Sequence, residues 1–152
     1  MTTKTLDSPF GPVSFTVENG FLHRVRIQAK INSTVNDDPL AEEVARQLDA
    51  YFAGRLFSFD SPLAPPHSEF KAGNRQCMID IPLDEMQTYG VLAKNLGNTS
   101  QAVGQACGAN PIPIIVPYHW VVAAGGRLGG FSGGNGAPTK RKLQNHEAVY
   151  AP

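Results

Sequence analysis

Three sets of residues in this 152-residue chain carry side chains suited to covalent or proton-transfer chemistry: the thiols Cys77 and Cys107, the run Pro117-Tyr118-His119-Trp120, and Glu147 near the C-terminus. A thiol has a free pKa of about 8.5 that a neighbouring imidazole lowers, and its thiolate attacks saturated carbon readily. Neither cysteine adjoins a histidine, and the two fit no metal or disulfide framework, so each reads as a small buried hydrophobe. Beside His119 stands Tyr118, a phenol with a pKa near ~10 and a harder, poorer nucleophile than a thiol. The glycine-rich stretch from Gly125 to Gly134 lacks the terminal Gly-Lys-Ser/Thr of a triphosphate-binding loop, which excludes that chemistry, and its first half reads as a hairpin after Val121-Val122.

The elements that must position these residues are marked by their caps and turns. Pro12 to Val17 alternates apolar and polar residues, Glu18-Asn19-Gly20 supplies a hairpin turn, and the next strand places Phe21, Val25 and Ile27 on one face. Asp38 and Pro39 open a helix whose Leu40, Val44, Leu48, Tyr51 and Phe52 recur at helical spacing until Gly54 ends it, predicting a cover for the sheet. Residues 61–67 are proline-rich and aperiodic, as in a linker crossing the surface, and set a boundary between residues 1–60 and 68–152.

Beyond the linker, Ser68 opens a helix to about Ile79 that Asn74 and Arg75 weaken, and Thr88 caps Tyr89 to Leu96. After Gly97, Asn98-Thr99-Ser100 cap a helix from Gln101 to about Gly108, and the tight pair has the form of a helix-turn-helix. The small residues of that second helix suit close approach to another surface, or equally close packing on a neighbouring helix. An aliphatic strand then leads to Pro117, and Lys140-Arg141-Lys142 begins a final helix, its three charges read as a solvated face.

Composition sets the outer limits. No apolar run approaches the ~18 residues of a spanning helix, so no membrane role is indicated. The start lacks the apolar core of a secretory signal, which with the cysteine usage makes a cytoplasmic location the expectation, nucleoid-associated in a bacterium. Net charge is zero, but eight basic and twelve acidic residues lie through Met86, against five basic and one acidic beyond it. The C-terminal half could therefore tolerate a polyanion, although five such charges are also ordinary surface.

The order Asn110-Pro111, an aliphatic segment, Pro117, His119, Val121-Val122 and a glycine loop closely resembles the active-site region of the O6-alkylguanine-DNA alkyltransferases, whose motif reads Pro-Cys-His-Arg-Val. The likeness is strong from Thr88 to Glu147 and weaker through Asp60 and the helix before it, where Gln47 to Gly54 is also typical of the family. It implies an α/β (α+β) fold: a small N-terminal antiparallel sheet with a covering helix, ribonuclease-like, and a mostly helical C-terminal part with a winged or helix-turn-helix DNA-binding unit. In that family a thiolate takes the alkyl group from a flipped-out guanine. Tyr118 stands where the acceptor cysteine is expected, and Trp120 where the motif has arginine.

The resemblance also implies the roles of other residues. Tyr89, Ser100, Gln101, Ala102 and Gly104 would face DNA, with Gln101 replacing the arginine that fills the space of the flipped base. Asn110, Pro117, Tyr118, Phe131 and Ser132 would line the lesion pocket. His119 and Glu147 would be the remnants of a proton relay to the missing thiol, no catalytic set being intact, or would simply hold the last helix in place. Asn74 and Arg75 stand where relatives usually have valine and tryptophan. Some relatives bind zinc through N-terminal cysteines, but no cysteine precedes Cys77, so neither metal nor cofactor is expected.

The implied function is that of the alkyltransferase-like proteins: a monomer that binds double-stranded DNA containing O6-alkylguanine and flags the lesion for excision-repair proteins without transferring the alkyl group. The alternatives are a degenerate member that binds no lesion, and an active methylated-DNA-protein-cysteine methyltransferase whose cysteine was changed in this particular chain.

Overall fold

The computed structural model describes residues 1–29, 34, 37–82, 85–129 and 136–150. Strands β1 (Thr2–Leu6), β2 (Val13–Glu18) and β3 (Phe21–Ile27) form an antiparallel meander. Between β2 and β3, Asn19 and Gly20 take φ of 52° and 80°, the left-handed pair whose twist suits a two-residue hairpin. One face assignment changes: Leu22, not Phe21, is buried with Val25 and Ile27, and Phe21 is 40% exposed. Thr16 pairs with Arg24 but Val17 with Leu22, so His23 is an extra residue that inverts the alternation near the turn.

Helix α1 (Pro39–Phe52) covers this sheet, burying Ala41, Val44, Leu48 and Tyr51. Asp38 accepts hydrogen bonds from the amides of Leu40 and Ala41, a cap worth about 1 kcal/mol, and Gly54 at φ 75° follows the helix end. The proline-rich segment is bound rather than free. Leu22 N donates to Pro62 O and Ala64 N to Leu22 O, each at 2.8 Å, along the outer edge of β3.

The C-terminal part begins with α2 (Glu69–Ile79), capped by Ser68. Thr88 caps α3 (Tyr89–Leu96), Gly97 turns the chain at φ 63°, and Thr99 caps α4 (Ser100–Gly108). Asn74 on α2 is buried with its Nδ2 3.4 Å from Cys107 Sγ, while the half-buried Arg75 donates from Nη1 to Ala64 O at 2.8 Å. The aliphatic run after Asn110 is a turn rather than a strand: Ile114 has φ 74° and Val116 N donates to Ile112 O.

A 3-10 turn, Tyr118–Trp120, runs into β5 (Val121–Val122), which pairs in parallel with β4 (Gln87–Thr88). Past β5 the chain makes a second 3-10 turn closed by Ala123 N to Arg127 O, with no returning strand among the described residues. Helix α5 (Ala137–Tyr150) ends the described chain. Among the described residues no helix is long and apolar enough to cross a membrane.

Candidate functional site

The parallel pairing of Thr88 with Val122 brings the start of α3 beside the 3-10 turn. Tyr89 and Tyr118 each open their element there, and their hydroxyls lie 3.1 Å apart. Gly129 backs Tyr89 at φ 72°, and a Cβ there would sit 3.2 Å from Tyr89 Cε2, so both its backbone angle and its neighbour favour glycine. Lys140 from α5 completes the cluster, with Nζ 4.9 Å from the centre of the Tyr118 ring and 5.7 Å from that of Tyr89.

Lys140 corrects the reading of residues 140–142 as a solvated face. Arg141 and Lys142 are exposed, but Lys140 is fully buried. Helical spacing gives the reason, because Lys140 shares its inward stripe with Leu143, Gln144 and Glu147, all buried. Burial lowers its ammonium pKa to about 8. Burial also raises the Tyr118 hydroxyl, against a smaller downward pull from its bond with Tyr89, and it raises Tyr89 together with that same bond.

Seven residues along α5, Glu147 gathers three donors. His119 Nε2 and Tyr51 OH meet Oε2, the latter at 2.8 Å, and Trp120 Nε1 donates to Oε1 at 3.0 Å. Burial alone would raise this carboxyl, but the bonds from His119, Trp120 and Tyr51 outweigh it and hold the pKa below the ordinary carboxylate value. Gln144 Nε2 donates to His119 O at 2.6 Å, and His146 Nε2 lies 2.7 Å from Tyr51 O, so α5 is fastened to both the 3-10 turn and α1. His119 Nδ1 is buried without a hydrogen-bond partner among the described residues.

His119 and Glu147, paired by the sequence reading, are therefore in contact. Tyr51 and Gln144 also belong to the site, and the sequence motif does not mark them. Tyr51 had a helical-stripe position that signals only burial, and Gln144 had no signal at all.

The α4 residues divide between two surfaces. Ser100 and Gln101 are exposed, Ala102 and Gly104 half-buried, and Val103 and Cys107 face inward. A Cβ added at Gly104 or Gly108 would meet nothing within 4 Å, so these glycines do not serve packing against another described helix. Tyr89 stands apart from this exposed face, its hydroxyl turned to Tyr118.

Of the remaining pocket residues, Pro117 lines a small cavity of about 130 Å³ with Trp120 and Glu147. Asn110 accepts from Ile112 N through Oδ1 and borders a different, larger cavity whose walls include neither Tyr118 nor His119. Phe131 and Ser132 lie outside the described residues. Neither thiol is hydrogen-bonded to His119 among the described residues: Cys107 is fully buried against Asn74 and Met78, and Cys77 is half-buried on α2. Burial raises both thiol pKa values, with Asp80 adding to the effect at Cys77. Among the described residues no group of three His, Cys, Asp or Glu is placed to hold a metal ion.

Known proteins are similar to this chain over both of its parts. Residues 1–65 match the ribonuclease-like domain of 6-O-methylguanine DNA methyltransferase, and residues 69–149 match its DNA-binding domain. A methylated-DNA–protein-cysteine methyltransferase of Methanosarcina acetivorans is 43% identical over 84% of this chain and 87% of the relative. The protein of that name from Mycobacterium tuberculosis is 36% identical over 98% and 93%. The crystal structure of Mycobacterium tuberculosis OGT in complex with DNA superposes with a TM-score of 0.83 at 36% identity, covering 99% of this chain and 94% of that one. An O6-methylguanine DNA methyltransferase from Methanococcus jannaschii superposes at 0.70 with 26% identity, covering 96% and 93%. With both halves matched and full-length relatives above one-third identity, the chain belongs to the 6-O-methylguanine DNA methyltransferase family.

Proposed function

We propose that this protein binds double-stranded DNA containing O6-alkylguanine, holds the damaged base flipped out, and leaves its alkyl group in place for removal by other machinery. The carrying observation is the residue beside His119. By the motif resemblance Tyr118 stands where the family's acceptor cysteine is expected, and it is buried, with its hydroxyl engaged by Tyr89 and its pKa raised. Attack on the alkyl carbon requires the anion, and even an unshifted phenol near pKa ~10 supplies only about one phenolate per thousand at neutral pH. Neither thiol is a substitute, since each is pushed toward its neutral form and Cys107 is sealed between α2 and α4.

Two features support the binding half of this reading. Ser100, Gln101 and Gly104 give α4 an outer face with room for a close approach to a duplex. Gln101 could hydrogen-bond the base left without its partner, although it lacks the charge and stacking plane of an arginine. Glu147, already accepting from His119, Trp120 and Tyr51, suits a structural duty more than a relay.

The test compares the full chain on two duplexes that differ only in one O6-methylguanine, by fluorescence anisotropy at several salt concentrations, followed by intact-protein mass spectrometry. Tighter binding to the modified duplex, weakening with salt, and an unchanged protein mass are expected. Equal affinities would remove lesion recognition and leave a degenerate member; one added methyl group on the protein would mark an active transferase.

A further inference from the structure

A cavity of about 720 Å³ lies where β3, α2 and the end of α4 meet, away from Tyr118 and Glu147. Its volume is that of a typical small-molecule site. Four cations border it: Arg24 and Arg26 from β3, and Lys71 and Arg75 from α2. Glu18 is the one carboxylate on the wall, and none of the four cations makes an ion pair among the described residues. Met78, Pro65, Ala106 and Pro111 supply apolar surface.

Arg75 is the most telling of these. It is half-buried, and its described hydrogen bonding is one Nη1 donation to Ala64 O, although a guanidinium carries five N–H donors. Removing such a group from water without an anion is unfavourable, and burial accordingly lowers its pKa. An oxyanion in the cavity would supply the missing counter-charge, and arginines are the side chains best shaped to grip one. An apolar wall beside a cationic rim further selects an anion that carries a hydrophobic or aromatic body.

We propose that this cavity between sheet and helices binds an organic phosphate of nucleotide size, at a site separate from the one that includes Tyr118. The charge of Arg24, Arg26, Lys71 and Arg75 engages the phosphate, while the body packs toward Met78. The half-enclosed position between two parts of the chain fits a free small molecule better than a continuous duplex.

The experiment labels the methionine methyl groups of the full chain with carbon-13 and follows them by NMR during titration with adenosine monophosphate, with inorganic phosphate and adenosine as controls. Met1 and Met78 lie on the cavity wall and Met86 does not, so a saturable shift at Met78, with or without Met1 and without Met86, locates binding. Adenosine monophosphate is expected to bind more tightly than either control. Arg75→Gln should weaken it about tenfold or more, as should Arg24→Ala with Arg26→Ala, an exposed strand pair whose loss spares the core. Absence of a saturable Met78 shift, equal binding of adenosine, or indifference to all three arginines would overturn the proposal. So would displacement of the nucleotide by an undamaged duplex, which would make the site part of a nucleic-acid surface.

Discussion

Where α5 meets α1 and the 3-10 turn, a buried carboxylate receives three donors, and Tyr51 ties the N-terminal helix directly to it. Where α2 meets β3, a half-buried guanidinium borders a wide cavity with one described hydrogen bond, and a buried amide on the same helix settles for a thiol. Both regions join the same two parts of the chain. The first is a closed polar network, in which burial strengthens every bond; the second leaves charge under-compensated, in which burial is a cost. A closed polar network and an open, cation-lined cavity thus mark two separate contacts between the same parts of the chain.

The sharpest way to break this contrast is Glu147→Ala, which strands His119, Tyr51 and Trp120 without their acceptor. A loss of about 3–5 kcal/mol is expected from urea unfolding, the scale for removing one partner of a buried pair. A smaller change in that range's place would mean the knot is no tighter than the cavity side.

Acid probes the same group more gently. The folded-state pKa of Glu147 lies below the ordinary carboxylate value, so its contribution is complete above that value and is lost as pH falls through it toward the folded one. Glu147→Gln should flatten this acid limb of the stability profile while retaining more stability than the alanine variant.

Lys140 has the same sign of pH dependence, because its pKa is also lowered, but it acts in an alkaline window. An ammonium with a folded pKa of about 8 is disfavoured in its charged form, so the unfolded chain holds more protons above that pH and stability rises with pH. The gain should be visible between about pH 8 and the onset of tyrosine ionisation near ~10, and denaturant melts of Lys140→Met should lack it.

The smallest effect is expected on the open side. Arg75→Leu removes an under-compensated cation and adds apolar contact, raising stability by about 1 kcal/mol in the same urea assay. A large loss would show that Arg75 is already well compensated and would erase the contrast.

Local chemistry made much of the fold legible. Asp38, Ser68, Thr88 and Thr99 each cap the helix that their side chains announce, and Asn19-Gly20 makes the hairpin turn, because these signals act within a few residues. The misreadings arose where distant contacts decide. His23 shifts a strand face through its pairing with β2, Ile114 turns a run of aliphatic residues that locally favours a strand, and Lys140 is buried by tyrosines from two other elements. In the candidate site, the His119 and Glu147 pair was legible through the motif, whereas Tyr51 came from so far along the chain that only folding could reveal its bond.

The outer edge of β3 carries one more implication. Leu22 is bonded on both sides by the proline-rich segment, and Val25 N donates to Pro111 O at 3.0 Å, so backbone groups that an edge strand would offer to a neighbouring molecule are occupied from within. An exposed edge invites strand-to-strand aggregation, and proline-bearing stretches, which cannot extend a ladder, make suitable end-stops. The tether between the two parts thus doubles as a guard rail: loosening it would free the second part to swing and, at the same moment, bare a sticky margin of sheet.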